Sequence, residues 1–162
     1  MCGFLVCVHK KSINFSLDKF NSINNLISYR GPDFGLSNEI ENRDNIIKIG
    51  HRRLSIRDLS DRANQPMTCS DDRFIMAYNG EIYNYNSLKS IIKKNKSNLI
   101  LKSTTDTEVI LELFNILNTN NIFCSLEGMF AFAVYDKKLN HLIIGRDKTG
   151  EKPLYLFLGN DV

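Results

Sequence analysis

Short unbroken apolar runs sit near both ends of this chain, and helical spacing fills its middle. The run "GFLVCV", starting at residue 3, reads as a buried strand. Over residues 17–28, "LDKFNSINNLIS", apolar positions recur at helical spacing, and Ser16 is placed to cap the helix. "YRGPDFG" breaks either rhythm at Gly31-Pro32-Asp33 and predicts a turn. A short strand follows at 46–50, "IIKIG", and residues 51–72 keep neither period, with Pro66 among them. "RFIMAYNG" at 73–80 predicts a strand that runs into Asn79-Gly80, a dipeptide that tolerates positive φ and marks a tight turn.

Beyond that turn, residues 86–94 predict a helix, 98–102 a strand, and Asp106 to Leu117 a helix with Thr/Asp caps and acidic residues in its first turn. "MFAFAVYD" and "HLIIGRD" flank "KKLN" as two strands of a hairpin, and "PLYLFLG" reads as one more strand. Strands at both ends with helices between predict an α+β fold of mainly antiparallel sheet, not alternating βαβ units. No repeat, low-complexity tract or Pro/Gly-rich linker divides the 162 residues, so one domain is expected.

Charge narrows the function classes. The net charge of +3 comes from scattered pairs (Lys10-Lys11, Arg52-Arg53, Lys93-Lys94, Lys137-Lys138), which describe a solvated surface and no nucleic-acid patch. The longest internal apolar run, "MFAFAV", is far below membrane-spanning length. Cys2, Cys7, Cys69 and Cys124 form no CxxC pair and have no histidine at ligand spacing, so no metal site is expected. Nothing marks a secreted chain, and a cytoplasmic setting with reduced thiols is the expectation.

The candidate chemistry starts at Cys2. If Met1 is removed, a thiol and a free α-amine share one residue. The amine (pKa about 8) can take the thiol proton (about 8.5) near neutral pH without help from a histidine. Asn79 and Gly80 offer a side-chain amide and an unhindered N–H, the two donors an oxyanion hole needs. Arg53 can hold a carboxylate bidentately, and Asp106 can receive an ammonium. Singly, these residues also read as a small hydrophobe, a hairpin turn, a surface arginine and a helix cap. Together they match glutamine, which has an α-carboxylate, an α-ammonium and a cleavable amide.

In chain order stand "MCGF", "RGPD", "HRRLSIRDLS", "NQPM", "NGEIYNY", "TDTEVIL", "LEGMFAFAVYD" and "GRDKTGEKPLY". The chain therefore resembles the class-II glutamine amidotransferase domain, specifically the amino-terminal half of glutamine-hydrolysing asparagine synthetases, over residues 2–162. The resemblance implies an αββα N-terminal-nucleophile fold, with two antiparallel sheets between helix layers. It implies Cys2 as nucleophile, with Asn79 and Gly80 as the oxyanion hole. Arg53 would bind the α-carboxylate, with the backbone of Leu54, Ser55, Ile56 and Arg57 lining that pocket. Glu81 and Asp106 would meet the α-ammonium. Arg30 and Asp33 would brace the loop near Cys2, "NQPM" would sit near the pocket, and His51 would be structural.

Two positions depart from the family pattern: Tyr29 replaces the usual histidine before "RGPD", and Arg57 replaces an aliphatic residue. Family members continue into a synthetase domain with a phosphate-binding loop, where ATP and magnesium act; this sequence has no Gly-rich phosphate loop, and no cofactor is expected in this domain. The expected activity is hydrolysis of glutamine, with ammonia passed to a synthetase domain or subunit. The alternatives are a sugar-amidating paralogue of surface-polysaccharide synthesis, which "GEKPLY" resembles, and a non-catalytic truncated module. Truncation at the carboxy-terminal edge would leave "PLYLFLG" unpaired and lead to a homodimer.

Overall fold

The computed structural model describes residues 2–159, so removal of Met1 lies outside the described residues. Strands β1 (Gly3–Lys10), β2 (Phe34–Glu41) and β3 (Asn45–Arg53) form one antiparallel sheet in the order β1-β3-β2. Strands β4 (Met67–Thr68), β5 (Phe74–Ile82), β6 (Gly128–Asp136) and β7 (His141–Arg146) form a second, in the order β4-β5-β6-β7. Helix α1 (Leu17–Asn25) covers the first sheet. Helices α2 (Tyr85–Asn95), α3 (Asp106–Phe114) and α4 (Thr119–Ser125) belong to the layer over the second. The order of layers is helix, sheet, sheet, helix, as the αββα expectation requires.

Strand alternation explains the layering. Ile47 and Ile49 of β3 meet Ile75 and Ala77 of β5 between the sheets, with Tyr135, Phe4, Val6 and Val8. The intervening Lys48 and Gly50 face α1. A Cβ on Gly50 would lie 2.8 Å from the Asn24 amide carbon and 2.9 Å from the Phe20 ring, so only glycine lets the helix sit this close. On the outer face of the second sheet, Met76, Phe132 and Val134 pack against Leu88, Val109, Ile110 and Leu113. Local caps start the helices: Ser16 Oγ accepts from Lys19 N at 3.2 Å, and Thr105 Oγ1 from Glu108 N at 3.4 Å.

Several sequence expectations are corrected. Asn79-Gly80 is no turn: β5 runs through it to Ile82, pairing Asn79 with Ala131 and Gly80 with Phe130. Gly80 is needed for close approach, since a Cβ there would lie 2.4 Å from Met129 O. Residues 98–102 form no strand. Leu99 and Leu101 alternate because they pack on the core while Ile100 is exposed. "PLYLFLG" also forms no strand among the described residues, and Tyr155 and Phe157 are about nine-tenths exposed, at 91% and 89%.

The helix expected over 17–28 ends at Asn25, and the one expected to reach Leu117 ends at Phe114. The "IIKIG" strand extends to Arg53, and the irregular 51–72 stretch contains β4. β2 and α4 were not anticipated; β2 has Gly35 and four polar residues among its eight, and α4 has one buried residue, Ile122. The hairpin around "KKLN" and the helix near 86–94 form as expected.

Candidate active site

One end of the sandwich opens into a cavity of about 210 Å³. The alternation that puts Ile47, Ile49 and His51 between the sheets also turns Arg53 inward at the end of β3, and the run Ile75, Ala77 brings Asn79 to the same place. Cys2 sits just before β1, beside the Leu54 backbone. The Leu54 N–H points at Cys2 Sγ at 3.4 Å, and Sγ lies 3.7 Å from Leu54 O. Burial pushes the Cys7 and Cys69 thiols up, away from reactivity.

The "RGPD" turn braces this corner. Arg30 Nε donates to Cys2 O at 3.1 Å, and Asp33 Oδ2 accepts from Ser55 N at 2.7 Å. A Cβ on Gly31 would lie 2.2 Å from Arg52 O, so the turn closes on β3 only with glycine there. Arg30, Asp33 and Ser55 thus stand behind the cavity wall, whereas Leu54, Ile56 and Arg57 line it. His51 is fully buried, with Nε2 3.1 Å from Tyr78 O, and burial pushes its pKa down to about 4. At neutral pH it is an uncharged structural donor.

Arg53 differs from a simple carboxylate clamp. Its guanidinium is 5% exposed and donates to Ser60 O at 3.0 Å, Asn64 Oδ1 at 2.7 Å, Arg57 O at 3.5 Å and Asp58 O. It therefore organises the 57–64 loop as well as lining the cavity.

The direction of the Gly80 N–H follows from the strand ladder. Alternate residues of β5 send their N–H groups to the same side. Tyr78 N donates to Gln65 Oε1 at 2.7 Å, and Ile82 N to Asp106 Oδ2 at 2.9 Å. Gly80 N lies between them and faces the same way. Among the described residues, no strand pairs with β5 on that side beyond Met76. Gly80's cross-strand neighbour Phe130 turns its own N–H and C=O to Asp147, at 3.1 and 2.8 Å. The Gly80 N–H is thus aimed into the cavity, beside the Asn79 amide, which makes no side-chain hydrogen bond among the described residues.

Asp106 is buried at the start of α3. Its Oδ2 also accepts from Tyr78 Oη at 3.2 Å, and its Oδ1 lies 3.8 Å from Arg57 Nη1. Burial, then the Asp106 charge, pushes the Tyr78 hydroxyl well above its ordinary value, so it stays a donor. Gln65 of "NQPM" ties the cavity floor together through Thr107 Oγ1 at 3.2 Å. Glu81 is exposed and lines the cavity.

The cavity therefore gathers Cys2, Arg53, Leu54, Ile56, Arg57, Asn79, Gly80, Glu81 and Asp106. Sequence reasoning missed Lys152, which is 6% exposed and lines the same cavity. The stretch "GEKPLY" contained it, but only the turn at Asp147 brings it in: the Asp147 carboxylate accepts from Lys152 N at 3.0 Å and Glu151 N at 2.8 Å. Among the described residues, no three His, Cys, Asp or Glu side chains gather as a metal site. No helix among them is long and apolar enough to cross a membrane.

Known proteins resemble this chain in sequence. The chain is 33% identical to asparagine synthetase 1 (glutamine-hydrolyzing) of Bacillus subtilis, over 99% of this chain and 25% of that protein. It is 37% identical to asparagine synthetase B (glutamine-hydrolyzing) of Escherichia coli, over 83% of this chain and 23% of that protein. The chain thus spans about a quarter of the length of these relatives. Among solved structures, the glutamine phosphoribosylpyrophosphate amidotransferase of Bacillus subtilis superposes with a TM-score of 0.50 at 22% identity, covering 62% of this chain and 23% of that one, which speaks to the fold alone. The family described as glutamine amidotransferase domain matches residues 1–161, and this chain belongs to that family.

Proposed function

We propose that the cavity hydrolyses the side-chain amide of glutamine to glutamate and ammonia, and that the ammonia serves an ATP-dependent, asparagine-synthetase-like partner domain or subunit. The observation that carries the reading is the Gly80 N–H, turned toward the same cavity as Cys2 Sγ and the Asn79 amide. After removal of Met1, the Cys2 α-amine takes the thiol proton and Sγ attacks the amide carbon. The carbonyl π electrons move onto oxygen, which receives the N–H groups of Gly80 and Asn79. The C–N bond breaks as the amine passes its proton to nitrogen, and ammonia leaves a γ-glutamyl thioester. Water then adds to the thioester with its proton taken by the amine. The C–S bond breaks, the thiol recovers its proton and glutamate departs.

In this reading Asp106 and Glu81 hold the α-ammonium. Arg53 and the backbone of Leu54, Ile56 and Arg57 hold the α-carboxylate, and Arg30, Asp33, Ser55 and His51 keep the corner in shape. The names of the relatives, asparagine synthetases, support aspartate as the acceptor, and their greater length supports a synthetase partner.

The test is glutaminase activity with peptide mapping. Cys2→Ala abolishes activity, whereas Cys7→Ala, Cys69→Ala and Cys124→Ala retain it. The glutamine-analogue electrophile diazo-oxo-norleucine adds to Cys2 alone. An adduct on exposed Cys124 instead, or turnover by Cys2→Ala, ends this reading.

A further inference from the structure

Asp106 has two carboxylate oxygens with different duties. Oδ2 is fixed by Tyr78 Oη at 3.2 Å and Ile82 N at 2.9 Å, so Oδ1 is the oxygen left for a ligand. The cation facing Oδ1 is Arg57, with Nη1 at 3.8 Å. That distance exceeds a hydrogen bond and describes a loose charge contact. The same guanidinium carbon lies 4.6 Å from the Tyr85 ring centroid, a second place where a cation rests favourably.

The backbone beneath this side chain is pinned. Arg53 donates to Arg57 O, and Asp58, at φ 56°, accepts from Thr104 N at 2.7 Å. The Arg57 side chain itself is 45% exposed. The guanidinium makes both contacts at once, lying over Tyr85 with one edge toward Asp106, and with its backbone fixed it can swing off Oδ1 by side-chain rotation alone, without the loop moving.

We propose that Arg57 is a displaceable counter-ion: it neutralises Asp106 in the empty cavity and competes with the α-ammonium of the incoming amino acid for Oδ1, so that it sets substrate affinity. This rests on reading the cavity as a glutamine site. A substrate ammonium at Oδ1 stands against a like charge until the half-exposed Arg57 swings away from Oδ1 toward solvent, and that cost falls on binding. Arg57 is therefore a specificity-determining residue that acts on substrate through Asp106.

The experiment compares wild type, Arg57→Leu and Arg57→Lys, each checked for folding by thermal melting. KM and kcat are measured for glutamine, and Ki for 4-carbamoylbutanoate, which is glutamine without its α-amine. Removing the charge lowers KM for glutamine about 2- to 5-fold, the size of a half-exposed ion pair, and changes kcat by a smaller factor. Arg57→Lys keeps KM near the wild-type value, and Ki for the amine-free competitor stays constant across the series. If Arg57→Leu raises KM and Ki together, Arg57 holds the carboxylate and the proposal falls. If KM is constant and only the melting temperature drops, Arg57 is a structural cap and the proposal also falls. A wild-type protein that neither turns over nor binds glutamine overturns the glutamine reading itself, and this inference with it.

Discussion

Asp147 and Phe130 exchange hydrogen bonds across the edge of the second sheet: Phe130 N–H donates to Asp147 Oδ2 at 3.1 Å, and Asp147 N–H donates to Phe130 O at 2.8 Å. The exchange occupies both backbone groups of Phe130, while strand alternation turns the N–H of its cross-strand neighbour Gly80 the other way, toward the cavity. The same carboxylate accepts from Thr149, Glu151 and Lys152, and so holds the turn that delivers Lys152 to the cavity wall.

Asp147→Ala accordingly leaves several buried N–H groups without an acceptor. It destabilises the fold by about 2–4 kcal/mol, read as a lower midpoint in urea unfolding. Burial alone would raise this carboxyl's pKa, but its hydrogen-bond donors outweigh burial and hold it well below the usual range. Its contribution is therefore present at neutral pH and lost as pH falls below about 4, the unfolded carboxyl value. A variant as stable as wild type removes Asp147 from this role.

Asn79 and Arg53 separate in steady-state kinetics. In the proposed mechanism Asn79 donates to the transition state, so Asn79→Ala is expected to lower kcat by about 10²–10³ while the melting temperature holds. Arg53→Ala raises KM and also lowers the melting temperature, because the carbonyls of Ser60 and Asp58 lose their donor. The opposite pattern in the two variants would reverse the roles assigned to them.

Gly80→Ala tests the close strand contact. The added Cβ would lie 2.4 Å from Met129 O and 2.7 Å from Phe130 Cα, both backbone atoms of the paired strand. Relief requires β5 and β6 to separate, which costs about 1–3 kcal/mol or more and misdirects the N–H. Circular dichroism melting and glutaminase assay both report a loss. Full retention of either would show that the ladder is looser than these distances.

His51 gives the fold a window of acid sensitivity. Burial first, with the Arg53 charge adding to it, lowers its pKa to about 4, against about 6.5 in the unfolded chain. Between those values the unfolded chain binds a proton that the folded chain refuses. Stability is thus full above pH 6.5 and declines by about 3 kcal/mol as pH falls to 4. His51→Gln keeps an N–H for Tyr78 O and has no proton to take up, so its denaturant midpoint varies less across that window. An unchanged pH slope in this variant would assign the sensitivity elsewhere.

The sequence by itself determined what depends on neighbours along the chain. The Ser16 and Thr105 caps reach only three residues ahead, and the β6–β7 hairpin is set by a short polar turn, so local pattern sufficed. The ordered run of motifs from "MCGF" to "GRDKTGEKPLY" identified the family, and residue type singled out Cys2, Asn79, Gly80 and Asp106, which the fold brings to one cavity. Tertiary structure decided whatever required a partner distant in sequence. Asn79-Gly80 carries the local signature of a turn, yet pairing with β6 draws it into a strand; "PLYLFLG" carries the signature of a strand, yet pairs with no strand among the described residues. Arg53's attachment to the 57–64 loop, Lys152's burial and Arg57's position over Asp106 were equally invisible in the sequence. Backbone hydrogen bonds and charge contacts between strands and loops are set by register and packing, and these decide which N–H and which carboxylate oxygen remain open to a substrate.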